Sequence, residues 1–365
     1  MISCTNEDIF FNSAVKNGKW NMKKLLLNFF VVSLVMGTLS IVLIKPSRCG
    51  KSGAKARNKA VMTRFKNIYE ASGVQQMGDG RVVIIEDEKS RAISHVLTLK
   101  TEDILQENPL RFGQKSKSIK TKLIDLEGIA DDLNDNLFAI TSYSHSIRGK
   151  LKQSRQRFVR FRIKENLIVD FEVFETLGNF IRQKIGVTRI NIEAISFDAN
   201  GKKLLIGLRE PLFKGKSLIV VLENPNAIFD SREEPKISDH IIRLDLHGGG
   251  IRAMDFNQKL GGYLLANEIK NAEGRFRSRF WFWSGNTADQ PREIAIDNME
   301  NLKNIEGITS ICADGEPRIL IVSDDGKMSK RKGAHYALIR YDQLSFFSDS
   351  LPSNLSPHTH IPETK

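Results

Sequence analysis

Asn191-Ile192-Glu193-Ala194-Ile195-Ser196-Phe197 is a run of β-branched and aromatic residues that opens on polar ones. The turn Asp198-Ala199-Asn200-Gly201 parts it from a second such run, Lys203 to Arg209. That arrangement predicts a β-hairpin. Leu126-Glu127-Gly128-Ile129-Ala130 with Leu137 to Tyr143, and Asn304-Ile305-Glu306-Gly307-Ile308 with Arg318 to Asp324, repeat the pattern closely. Gly250-Ile251-Arg252-Ala253-Met254 with Tyr263 to Glu268, and Ser72-Gly73-Val74 with Arg81 to Asp87, repeat it loosely.

Aligned on Gly73, Gly128, Ala194, Ala253 and Gly307, the copies lie 55, 66, 59 and 54 residues apart. A period of this length carried by strands predicts an all-β protein, a β-propeller of about five four-stranded blades, with six as the alternative count. Third and fourth strands are expected at Arg157 to Ile163 and Leu167 to Phe174, at Ser217 to Leu222 and Ile241 to Leu246, and at Arg279 to Trp283 and Glu293 to Ile296. The first copy offers Ile93 to Leu99 and a poorer run, Ser118 to Ile124. The fifth has only Tyr336 to Tyr341, one strand short, and Met62 to Tyr69 could supply the missing strand and close the ring. Closure matters because an open ring leaves sheet edges free to pair between molecules.

The propeller is expected over residues 61–344, with a Ser/Pro-rich tail at 345–365. Ahead of it stand a short basic segment (1–24), an uncharged apolar run (25–44) and a basic linker (45–60). Leu25 to Ile44 has the length of a membrane span, and Lys23-Lys24 beside it gives the layout of an export signal that could start at Met22 as well as Met1. It is expected to be a transmembrane anchor or a signal sequence. The expected location is exported, anchored in the inner membrane or periplasmic. The six Lys/Arg between Lys45 and Lys59, against four before the span, keep the cytoplasmic face of the membrane open as the alternative.

The net charge of +12 would suit nucleic acid, but ten Lys/Arg against Glu7 and Asp8 place +8 of it in residues 1–60. The remaining +4 forms no basic stripe, which argues against phosphate-backbone binding. The expected partners are a small ligand or an envelope protein, met by a monomeric propeller.

In a blade, the start of the innermost strand and the end of the second share one face. Glu127, Glu193, Arg252 and Glu306 should therefore gather at one channel mouth with the second-strand ends Glu86-Asp87-Glu88, Ser142-Tyr143, Arg209-Glu210, Asn267-Glu268 and Asp324-Asp325. Converging carboxylates repel one another, and calcium, which takes several oxygen ligands, would relieve them. Glu127, Glu193, Glu306, Asp324 and Asp325 are the candidate metal ligands, and Arg252, Arg209, His145 and His335 the candidate ligand-binding residues. The competing reading gives the repeated Glu a structural task, accepting backbone amides or pairing with Arg of the next blade.

Other motifs carry less. Lys327-Met328-Ser329-Lys330 matches a nucleotide-binding loop of tRNA synthetases but lies between two strands, and reads as a solvated basic loop. Asp132, Asn134 and Asn136 have calcium-loop spacing but lack its glycine and closing Glu, and read as a turn. Phe280-Trp281-Phe282-Trp283 reads as packing between blades ahead of sugar stacking. No Gly-x-Ser-x-Gly elbow, His-Glu-x-x-His pair or Cys-x-x-Cys pair is present, so serine-hydrolase, zinc-protease and zinc-ribbon readings lose their direct support.

The runs Leu126 to Ala130 and Asn191 to Asp198, with Ser323-Asp324-Asp325-Gly326 and Gly333-Ala334-His335-Tyr336, resemble the bacterial domain-of-unknown-function family 3616 over roughly residues 65 to 345. More distantly the chain is similar to phytase-like and esterase-like propellers. That distant resemblance implies a calcium-bearing channel and phosphate-ester hydrolysis, with Glu127, Glu193, Glu306 and Asp325 as ligands and Arg252 or Arg209 as phosphate partners. Two functions stand: a ligand- or partner-binding propeller of the cell envelope, or a calcium-dependent phosphoesterase or esterase-like hydrolase at the same face.

Overall fold

The computed structural model describes residues 60–347, apart from 88–91, 100–104, 114–122, 147, 298, 300–302 and 314. The expected anchor at 25–44 and the segments around it lie outside the described residues. Among the described residues no helix is long and apolar enough to cross a membrane.

Five antiparallel sheets form the blades of a β-propeller. After β1 (Thr63–Arg64), blade one contains β2 (Ala71–Gln76), β3 (Val82–Glu86), β4 (Ile93–Leu99) and β5 (Leu105–Pro109). Next comes β6 (Arg111–Phe112), and blade two is β7 (Leu126–Asp131), β8 (Leu137–Thr141), β9 (Phe158–Lys164) and β10 (Leu167–Phe174), with β6 added in parallel along β10. Helix α1 (Leu177–Ile185) leads to blade three, β11 (Asn191–Phe197), β12 (Leu204–Phe213), β13 (Lys216–Leu222), the short helix α2 (Pro225–Asp230) and β14 (Ile242–Leu244). Blade four is β15 (Ile251–Asn257), β16 (Gly262–Lys270), β17 (Phe276–Trp283) and β18 (Arg292–Ile296). Blade five is β19 (Ile305–Ala313), β20 (Glu316–Ser323) and β21 (His335–Arg340), and β22 (Leu344–Phe346) follows.

Both ends of the described chain fasten the ring. Strand β1 pairs antiparallel with β21, Thr63 opposite Tyr336, and supplies the strand that blade five lacks. Strand β22, at the head of the expected tail, pairs with β18 and widens blade four. One expectation needs correcting. Blade one takes its fourth strand from Leu105–Pro109 and not from the Ser118 to Ile124 run, whose Leu123 and Ile124 stand outside any strand. An outermost strand with one side in water needs little apolar alternation, and Leu105-Gln106-Glu107-Asn108-Pro109 has little.

Five apolar cores lie in the five seams between neighbouring blades. Alternate residues of one strand feed opposite seams. On β17, Trp281 and Trp283 pack toward blade three, and Phe280 and Phe282 toward blade five. All four are buried, so the aromatic run is packing, as its sequence position suggests. Three seams are also stitched near the axis by a side-chain oxygen that accepts a backbone amide of the next blade. Ser196 accepts from Phe256 (3.0 Å), Asp255 from Ser310 (3.1 Å) and Thr309 from Gln76 (3.1 Å).

The innermost strands β2, β7, β11, β15 and β19 touch one another in order around the axis. Their crowding explains the small residue of the repeat. A β-carbon on Gly128 would stand 2.9 Å from the Ile195 amide nitrogen, and one on Gly307 would stand 3.1 Å from that of Val74 and 2.6 Å from the Val322 side chain. Replacing Gly128 with Val should therefore cost about 2 kcal/mol. Urea unfolding measures it, and an unchanged midpoint would contradict the crowding.

Candidate functional site at the channel mouth

Every inner strand slips its register at the same place. The shift falls between Ala71 and Gly73, Leu126 and Gly128, Ile192 and Ala194, Ile251 and Ala253, and Ile305 and Gly307. The residue skipped is Ser72, Glu127, Glu193, Arg252 or Glu306. A bulge releases its extra residue from the ladder and re-aims the side chain. The preceding Leu or Ile of each repeat enters a core, with Leu126, Ile192 and Ile251 fully buried. The residue two before the bulge takes a left-handed turn in two blades, φ 68° at Asp125 and 54° at Asn304, a conformation Asp and Asn tolerate well. Bulge, buried aliphatic and Asp/Asn turn together explain the Asp/Asn-Leu/Ile-Glu-Gly/Ala element.

The five bulged residues form one ring in blade order. Blade four lies between blades three and five, so Arg252 stands between Glu193 and Glu306 and bridges them. Its Nε is 3.2 Å from Glu193 Oε2, and its Nη2 pairs with Glu306 Oε1. All three are buried. Glu193 is held further by Arg209 (2.7 Å) and by the Asn191 amide (2.9 Å). At the ring the throat, lined by Glu127, Glu193 and Glu306 and by Val74, Ile195 and Met254 among others, encloses about 10 Å³. That is about the space of one water, so the channel ends as a cup at this mouth.

The opposite side of the ring contributes no basic residue of its own, although Arg155, outside the ring, pairs with Asp125 at 2.9 Å. Glu127 sits between Ser72 and Glu193, with neither hydrogen bond nor ion pair among the described residues. Burial, and then the charges of Glu193, Asp125 and Asp87, hold its carboxyl well above the usual carboxylate range, against a weaker pull from Arg252. The Ser72 hydroxyl is buried with no hydrogen-bond partner among the described residues. Around them, Asp87 is pushed up to about 7 by burial and by Asp125 and Asp324, and Asp324 to about 6 by burial and by Glu70.

The structure thus brings Glu127, Glu193, Arg252, Glu306, Arg209 and Asp324 together, as the strand directions require. Asp325 and His335 form a pair of their own, Nδ1 to Oδ2 2.7 Å, in which Asp325 also accepts from Ser323. His145 lies in the loop after β8 among arginines. Asp87 is there too, as the second-strand end that strand direction expects. Asp125 and Ser72 are members of the mouth that the motif reading did not single out, and Asp125 could have been found as the Asp of the repeat element. Glu86, beside Asp87, has a structural task and accepts the Tyr69 amide (2.8 Å).

Among the described residues no three His, Cys, Asp or Glu side chains are placed to hold a metal ion. The expected calcium ligands do not fit a metal site in this geometry, because Glu193 and Glu306 face the Arg252 guanidinium and Asp325 faces His335. The Asp132 loop is a turn, its carboxylate accepting the amides of Asn134 (2.9 Å) and Asn136 (3.1 Å). Lys327 to Lys330 is an exposed or half-exposed loop ahead of β21.

Fold and mouth define a five-bladed β-propeller with a polar cup at one end of its axis. Residues 160–340 match the model described as "Protein of unknown function (DUF3616)", the family that the motifs resemble. Among solved structures it is similar to the major allergen Mala s 1 of Malassezia sympodialis, with 12% identity over 84% of this chain and 100% of that one and a TM-score of 0.42. It is also similar to a glucose dehydrogenase, with 10% identity over 76% and 99% and a TM-score of 0.41. No protein with a curated description matches the sequence.

Replacing Arg252 with Met should destabilise the fold by about 3–5 kcal/mol, because two buried carboxylates lose their cation. Adding Glu193→Gln and Glu306→Gln to that variant should recover much of the loss. Urea unfolding of both variants checks this, and a single variant as stable as the parent would contradict the bridge.

Proposed function

We propose that this is an envelope-associated binding propeller that takes a cationic group, the ammonium or guanidinium of a small ligand or partner, in the acidic cup beside Glu127. The observation that carries the reading is the lopsided ring: one guanidinium serves Glu193 and Glu306, while Glu127 has no ion pair among the described residues and meets the charges of Glu193, Asp125 and Asp87, with Arg155 paired to Asp125. Carboxylates held up by burial and mutual repulsion are relieved by a cation, which lets them release their protons. The Ser72 hydroxyl supplies an uncommitted acceptor beside them. The apolar run Leu25 to Ile44 supports attachment to a membrane.

The proton linkage has a defined sign. Below about 6 to 7, Asp324 and Asp87 are neutral and offer a cation little. Affinity should therefore rise between pH 5 and pH 8, with proton release on binding. Calorimetry of the full chain with ethylammonium and guanidinium, in buffers of different ionisation enthalpy, checks this. Glu127→Gln should weaken binding about tenfold, the loss of one charge-assisted contact. Binding that is independent of pH and of Glu127 would contradict the reading, and binding of calcium alone would replace the organic cation with a metal.

The same groups affect stability without ligand. Their carboxyls hold protons more tightly folded than unfolded, so their contribution is fully present below the unfolded value near 4. It is lost as pH rises through the folded values of about 6 and 7. Asp87→Asn should flatten that decline, measured as melting temperature against pH; a decline as steep as the parent's would contradict it.

A further inference from the structure

On the same face as the cup, at the seam between blades two and three, a second polar cluster has the opposite sign. Tyr143, fully buried with φ 53°, stands just past the end of β8, its ring against Gly178 in the first turn of α1. A β-carbon on Gly178 would stand 2.2 Å from the Tyr143 ring, so glycine is required for the tyrosine to reach this position. Two buried polar atoms here, His145 Nδ1 and Arg182 Nη1, have no hydrogen-bond partner among the described residues, and the Tyr143 hydroxyl, which takes the Gly178 amide as its one neighbouring donor, has no acceptor for its own proton. The other arm of Arg182 is fixed, its Nη2 donating to Asn179 Oδ1 at 2.6 Å.

These groups act on one another. Arg157 and Arg182 both bear on the Tyr143 phenol, and Arg182 and Arg189 bear on the His145 ring. Arg157 is buried and ion-paired with Glu175. That leaves Arg182 beside both the phenol and the imidazole, and Arg189 beside the imidazole. The unmatched atoms are donors or can be: an arginine N–H carries no acceptor, the phenol can donate, and a histidine nitrogen can carry a proton. Their common complement is an acceptor with negative charge, which would satisfy the donors and offset the mutual repulsion of the arginines.

We propose that Tyr143, His145 and Arg182 form an anion-binding site for a small oxyanion, a carboxylate or phosphate group, held at the seam between blades two and three. The site uses none of the residues of the ring. A neutral molecule of water could accept from these donors but would leave the arginine charges unopposed.

Titration of the full chain with inorganic phosphate and, separately, acetate tests the proposal by calorimetry. One of the two should bind, and Arg182→Gln should weaken it about tenfold. Tyr143→Phe, which keeps the buried ring and removes only the hydroxyl, should weaken it about threefold, near one ordinary hydrogen bond. It keeps the test decisive if the arginine variant fails to fold. Lys184→Gln, on the same helix but paired with Asp239, should change nothing. No binding of either anion by the parent chain, or binding that Tyr143→Phe leaves unchanged, would overturn the site.

Discussion

The crowding of five strands around one axis governs the rest of this molecule. Strands that approach so closely tolerate only Gly or Ala at the contact, and where they meet, the throat shrinks to about 10 Å³. The register shift just ahead of that contact takes one residue per blade out of its ladder. Packing at the axis thus fixes the position of a five-membered polar ring, and leaves its chemistry to the choice of side chain.

That choice is asymmetric. A ring of five identical Glu would place five charges in a space that cannot hydrate them. Here one position is Arg and one is Ser, and the order around the ring makes the difference. Arg252 reaches both of its neighbours, while Glu127 has Ser72 on one side and the already committed Glu193 on the other. The repeated Glu therefore serves two ends. Glu193 and Glu306 tie blades three, four and five through a shared guanidinium, the structural task expected of a residue present in most blades. Glu127, in the same register, is left with its carboxyl uncommitted. The calcium expected from converging carboxylates has its electrostatic task performed on one side of the ring by Arg252.

Much of this was legible in the sequence, for identifiable reasons. Blade number followed from the period, and the closing strand from the missing partner of Tyr336 to Tyr341. The gathering of Glu127, Glu193, Arg252 and Glu306 followed from strand direction alone. What escaped was written weakly or not at all. Strand β5 is polar because it is an outer edge, and β22 pairs with a blade that the chain left some fifty residues earlier. The register shifts leave no mark in composition. Glu86 and Asp87 are adjacent carboxylates in one strand end, yet one accepts a backbone amide and the other faces Asp125 and Asp324 across a blade boundary, a difference made by tertiary contact.

Glu127 is the glutamate of the ring that Arg252 does not pair with. Carbon-13 NMR of the glutamate side-chain carboxyls, with Glu127→Gln to assign the resonance, measures its titration directly. The structure predicts that Glu127 titrates well above the ordinary carboxylate range and moves down when a cation fills the cup. A Glu127 that titrates near 4.5, the ordinary glutamate value, would contradict it.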